Sequence, residues 1–113
     1  MHHKKLIACA LVASATMLGT ALHAQQLNVA IATGGTGGVY YPLGGGMANV
    51  LTKYLPNTAA TARVTGGSVD NLKLIGTQQS EVALVMVDAA RDALQGEDKF
   101  KGNKVAESPG YRQ

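Results

Sequence analysis

Four glycines within five positions, Gly34, Gly35, Gly37 and Gly38, constrain this chain more than any other feature. They sit in residues 33–41, TGGTGGVYY, between a strand-like run (LNVAIA, 27–32) and a helix-like run (YPLGGGMANVLTKYL, 41–55). Glycine has no side chain to block close approach of another group. The first N–H groups of a helix lack internal partners and lie at its positive end. Strand, glycine loop and helix together therefore aim backbone amides at one point, where a carboxylate or phosphate fits. A plain tight turn is the competing reading, but one or two glycines suffice for that.

Length allows one modest domain: the chain has 113 residues. Residues 1–24 read as a cleavable signal peptide. Lys4 and Lys5 supply its positive end, residues 6–22 its uncharged apolar core, and Leu22-His23-Ala24 its cleavage site. A single membrane anchor competes with this reading, but a 17-residue run rich in small residues is at the short edge of a span. Cys9, the sole cysteine, comes before the apolar core and not after it as a lipobox would require. The remaining 89 residues then carry no cysteine, which is compatible with export. They hold eight basic and seven acidic residues, a net of +1 and no basic field for nucleic acid.

Beyond the glycine loop, Leu43, Met47, Val50, Leu51, Tyr54 and Leu55 recur at helical spacing and predict a buried stripe. Pro42 suits the first turn of that helix. The run Gly44-Gly45-Gly46 weakens it, and implies close packing against a backbone or room for a ligand. Residues 61–65 predict a second strand. Gly66-Gly67-Ser68 is then a second turn at a strand's end, with Ser68 as N-cap and Asp70 in the first turn of a helix reaching about residue 79. Residues 82–87, wholly apolar, predict a central strand, followed by Asp88 as cap of a short helix over 89–94 that Gly96 closes. From Glu97 onward the apolar pattern gives way to an irregular tail, 97–113.

The order β-α-β-α-β-α predicts an α/β fold, a three-stranded parallel sheet with helices on its faces. If the second and third strands flank the first, a switch point opens at the carboxyl end of the first strand, where open α/β sheets bind ligands. Three features fall at such ends: residues 33–41, residues 66–68, and Asp88.

The chemistry points to binding. The glycine loop matches neither the dinucleotide nor the P-loop pattern. All three histidines, His2, His3 and His23, fall in the leader, which removes Ser-His-Asp and Cys-His catalysis from the rest and most zinc sites with it. No cofactor and no metal is expected. Asp88 and Asp92 form an i, i+4 pair that reads as a helix cap and a solvated face, or as the acid–base pair of a small exported enzyme. Thr33, Thr36, Ser68 and Asn71 can hydrogen-bond a polar ligand. Tyr40 and Tyr41 can wall it, or can divide into one packed and one exposed ring. Asp88 can take a ligand ammonium or cap its helix. A structural or interaction module remains a further alternative, with an exposed apolar patch as its mark.

The segments ATGGTGGVYYPLGGGMANVL (32–51), TGGSVDNLKLI (65–75) and EVALVMVDAARDALQG (81–96) resemble the TAXI-type solute receptors of TRAP transporters. The resemblance covers residue 27 to about 103. It implies part of lobe one of a type II periplasmic binding protein fold, over residues 25–96, and no catalysis. It also implies a periplasmic receptor that takes glutamate, glutamine or a related dicarboxylate and delivers it to TRAP membrane permease subunits driven by an ion gradient. Carried over by motif, the ligand contacts are Thr33, Gly34, Gly35, Thr36, Gly37, Gly38, Val39, Tyr40 and Tyr41, then Gly66, Gly67 and Ser68, with Asn71 and Asp88 nearby. Glu81 stands where the family often has Asp, and Arg91 where an aromatic residue is common. Family members run to roughly three hundred residues, a size at which chains split into domains. The present sequence is therefore expected to be a truncated or frame-shifted reading, functional only as half a site or not at all.

Overall fold

The computed structural model describes residues 25–105; the stretch expected to be a signal peptide, with Cys9, and the last eight residues lie outside them. Three parallel strands form one sheet in the order β2-β1-β3, with β1 at Leu27–Ala32, β2 at Thr58–Arg63 and β3 at Val82–Ala83. Helices α1 (Tyr40–Tyr54), α2 (Ser68–Gly76) and α3 (Val87–Gln95) follow the strands in turn, and a 3₁₀ turn at Asp98–Phe100 comes after α3. This is the α/β fold that the alternation of patterns predicts, compatible with part of a periplasmic binding protein lobe.

The central strand is β1, not the apolar run 82–87. β1 pairs with β2 from Leu27↔Thr58 to Ala32↔Arg63, and with β3 only at Ile31↔Val82 and Ala32↔Ala83. The third strand is two residues long because the chain leaves the sheet early. The Leu84 N–H still reaches Ala32 O at 3.0 Å, but the Met86 N–H turns to Ser68 Oγ at 2.9 Å, and Val87 already begins α3. Apolar content alone carries no register, so the run looked longer as a strand than it is. Below β3, the Ala30 N–H donates to the Glu81 carboxylate at 2.6 Å. A side chain there supplies the acceptor that a longer strand would have supplied from its backbone.

β2 starts three residues earlier than expected. Asn57, three residues past the end of α1, takes a left-handed conformation (φ 52°), and that sharp reversal sets Thr58 beside Leu27. The outer side of β2 is partly closed by α1: the Ala60 N–H donates to Thr52 Oγ1 at 2.9 Å. An occupied edge amide is one fewer template for pairing with another chain.

The expected buried stripe of α1 is overturned. Leu43, Val50 and Tyr54 are 54, 56 and 69 % exposed, and Met47 and Leu55 are exposed as well. The helix instead turns Gly44 and Ala48 to the sheet. A Cβ at Gly44 would collide with Thr33 Cγ2 and lie 3.6 Å from Ala62 Cβ and Ile31 Cγ2. Small residues let the helix sit close, and the larger apolar residues then point away from the sheet. Gly45 and Gly46 have open space where a Cβ would be, so close packing explains only the first of the three.

Apart from Ile31 and Ala32 on β1 and Ala48 on α1, the buried apolar side chains among the described residues gather around α3. Ala93, Phe100 and Val105 form a cluster, with Val69 and Leu72 packed against it. Phe100 and Val105 come from the stretch expected to be an irregular tail. Gly96, at φ 73°, closes α3 as expected.

Candidate functional site

Parallel strands send all three following turns to one edge of the sheet. Direct hydrogen bonds join them there. The Thr65 N–H donates to Gly34 O at 3.4 Å, linking the second glycine turn to the first. Ser68 Oγ accepts from Met86, linking the second turn to the third. Asn71, fully buried, holds the first and third from below: its Nδ2 donates to Thr33 O at 2.6 Å and Leu84 O at 2.7 Å, with a longer contact to Ala32 O at 3.4 Å. Its Oδ1 accepts from Thr65 Oγ1 at 2.6 Å. One amide side chain thus satisfies carbonyls at the ends of β1 and β3 and a hydroxyl at the end of β2. Buried carbonyls left without a donor are costly, so this arrangement fixes the rim's shape.

The fourteen expected site residues divide in two by position. Thr33 and Gly34 are buried, and the Thr33 hydroxyl donates to Arg63 O at 2.6 Å. Thr33 and Asn71, expected to hydrogen-bond a ligand directly, face inward and bond backbone. Ser68, expected as N-cap of α2, is its first helical residue; Gly67 takes the cap position at φ 102°, and the Ser68 hydroxyl serves Met86. Gly35, Thr36, Gly37, Gly38 and Val39 are exposed at the rim, and a Gly38 N–H to Gly35 O bond of 3.0 Å closes their turn. Tyr40 and Tyr41 are half-buried. Tyr40 lies over Gly34, where a Cβ would be 3.8 Å from its ring. Gly66 is exposed and Gly67 half-buried beside them. Asp88, expected as the cap of this helix, is the second residue of α3, two positions inside the cap at Met86, and its carboxylate accepts the Ala89 N–H at 2.7 Å.

The three helix starts differ electrostatically. α2 has Asp70 in its first turn, with the carboxylate folded against Gly66, and α3 has Asp88. α1 has no acid in its first turn and no side chain bonded at its cap. Among the three helices described, its positive end is the one with no acid in its first turn, and it opens from the exposed glycine loop.

Sequence reasoning missed Thr65 and the 84–86 segment. The Thr65 hydroxyl both accepts from the Gly67 N–H at 3.1 Å and donates to Asn71. A signal for it was present: Thr-Gly-Gly occurs at 33–35 and again at 65–67, each time closing a strand.

An open parallel sheet with glycine turns gathered at its carboxyl edge, two strands flanking the first, is the architecture of a ligand-binding α/β lobe. Residues 31–107 match the NMT1-like family, and the chain belongs to it. That family is related to the periplasmic binding proteins, and its role is solute binding associated with transport. Among the described residues, no helix is long and apolar enough to cross a membrane.

Proposed function

We propose that this chain is part of lobe one of an exported, TAXI-type solute receptor, and that its rim holds the carboxylate of a small solute such as glutamate, glutamine or a dicarboxylate. The observation that carries the reading is the start of α1, with no acid in its first turn, beneath the exposed residues 35–39. A carboxylate there accepts backbone N–H groups at a helix's positive end. Val39, Tyr40 and Tyr41 flank it, and Gly66 and Gly67 close the far side. Thr33, Thr65 and Asn71 act as positioning residues, holding the turns without touching the solute. No catalytic step is proposed. After processing, the receptor would act in the periplasm and hand its solute to TRAP permease subunits.

Such receptors enclose a ligand between two lobes, and a pocket that buries most of its ligand derives affinity from that enclosure. One face alone therefore binds weakly. The test is a ¹⁵N-resolved NMR titration of the chain with L-glutamate and 2-oxoglutarate, alongside calorimetry. The expected result is weak, saturable shifts confined to the amides of residues 35–41 and 66–68. Shifts scattered over the surface, or none at millimolar solute, would remove the carboxylate reading. Micromolar affinity in calorimetry would refute the half-site reading.

A further inference from the structure

The rim is one-sided in charge. Residues 33–41, 64–71 and 84–90, which form the three turns and the helix starts behind them, contain Asp70 and Asp88 but no lysine, arginine or histidine. Both arginines of the described residues are engaged away from it. Arg63, at the end of β2, donates from Nη1 to Gln79 O at 2.9 Å, past the far end of α2. Arg91 donates from Nε to Gln95 Oε1 at 3.2 Å, one turn further along α3. The described lysines lie in the last turns of α1 and α2, or after α3. Apolar side chains, in contrast, are exposed on this rim: Val39 at the cap of α1, and Met86 and Val87 at the start of α3. The bond from Met86 to Ser68 and the two from Asn71 to Thr33 and Leu84 tie that third turn to the others.

We infer that the rim selects a solute with a single carboxylate and an otherwise uncharged, apolar body, and disfavours one with a second carboxylate. The inference rests on the carboxylate reading of the rim and narrows its solutes, setting glutamate and dicarboxylates below glutamine, and glutamine below leucine. Of the three helix starts, α1 alone has no acid in its first turn, so the rim offers one place for one anionic group. A second carboxylate finds no cation there and meets the like charges of Asp70 and Asp88. An apolar body instead covers Val39, Met86 and Val87, and removing such surface from water favours binding. An α-ammonium on the solute does not offend this rim, because its fixed side-chain charges are both negative.

Titration of the full ¹⁵N-labelled chain with L-leucine, L-glutamine, L-glutamate and L-leucinamide tests this. Glutamine and glutamate are alike in size and differ by one charge, which isolates the effect of that charge. At equal millimolar concentration, the shifts of residues 35–41 should be at least about threefold larger with glutamine than with glutamate, and larger again with leucine. Molar salt should shrink the gap between glutamine and glutamate, since screening weakens repulsion between exposed charges. Glutamate shifts equal to or above those of glutamine, a glutamine advantage undiminished in molar salt, or leucine shifts no larger than those of glutamine each overturn the inference and leave the carboxylate reading standing. Leucinamide has no carboxylate. If it shifts these amides as strongly as leucine does, or if every probe is silent, the carboxylate reading falls and this inference falls with it.

Discussion

The chain writes Thr-Gly-Gly twice and uses it in opposite ways. At 33–35 the triplet ends the central strand and leads into an exposed loop, then into a helix with no acid in its first turn. At 65–67 it ends an edge strand and leads straight into a helix whose own Asp70 folds back over Gly66. The first turn is left open toward solvent and the second is filled from within. Glycine richness alone therefore does not mark an anion site. On the proposed reading, what matters is whether the following helix supplies its own carboxylate.

The comparison breaks most readily at Asn71, which underlies both turns. Asn71→Ala removes the donor for carbonyls of Thr33 and Leu84 and the acceptor for Thr65. Each buried group left unpaired costs about 1–3 kcal/mol, so a loss of at least about 3 kcal/mol in urea unfolding is expected. Amide exchange should rise in both turns together. A rise confined to one of them would mean that they are held independently.

Gly44→Ala tests the seat of α1, on which the open turn depends. The added methyl meets Thr33 Cγ2, and overpacking of this kind costs about 1–3 kcal/mol. Gly45→Ala and Gly46→Ala meet nothing, and should instead stabilise the helix by roughly 0.5–1 kcal/mol each. Thermal or urea unfolding of the three variants separates packing from propensity. If all three shift alike, the close approach at Gly44 is not what sets α1 on the sheet.

Those glycines also show how far the sequence could be read. β1 was legible to the residue, because six residues of strand pattern end abruptly at a glycine loop. The face of α1 was not. A helical wheel assigns large apolar residues to the core, whereas here Gly44 and Ala48, which carry almost no hydropathic signal, face the sheet. β2 was misplaced because Thr58-Ala59-Ala60 has weak strand propensity and its start is set by the reversal at Asn57. Asn71 was legible as a polar residue near the site. Its inward aim was not, since that depends on three carbonyls brought together from 32–33 and 84. Phe100 and Val105 were hidden in a charged stretch where no periodicity points to a core.

Converting the open turn into the filled kind is the next smaller effect. Val39→Asp places a carboxylate at the cap position of α1, where one is absent. The helix should gain about 0.5–1 kcal/mol. Solute-induced shifts at residues 35–41 should fall at least tenfold at equal glutamate, since the positive end is then occupied. Undiminished shifts with the added acid would show that the solute is held elsewhere on the rim.

The reciprocal change, Asp70→Asn, should have the smallest effect and the most specific one. It keeps size and hydrogen-bonding capacity at the start of α2 but removes the charge, so stability should fall by only about 0.3–1 kcal/mol. Asp70 is exposed, and the loss should shrink further as salt screens it. The second Thr-Gly-Gly turn would then resemble the first, with glycine amides before an uncompensated helix start. If an open positive end is what captures a carboxylate, glutamate should now also shift the amides of Gly67 and Ser68 more strongly than in the parent chain. If those amides stay silent while residues 35–41 respond as before, charge at the helix start is insufficient. The longer exposed loop at 35–38, which the second turn lacks, would then be the feature that separates a binding turn from a structural one.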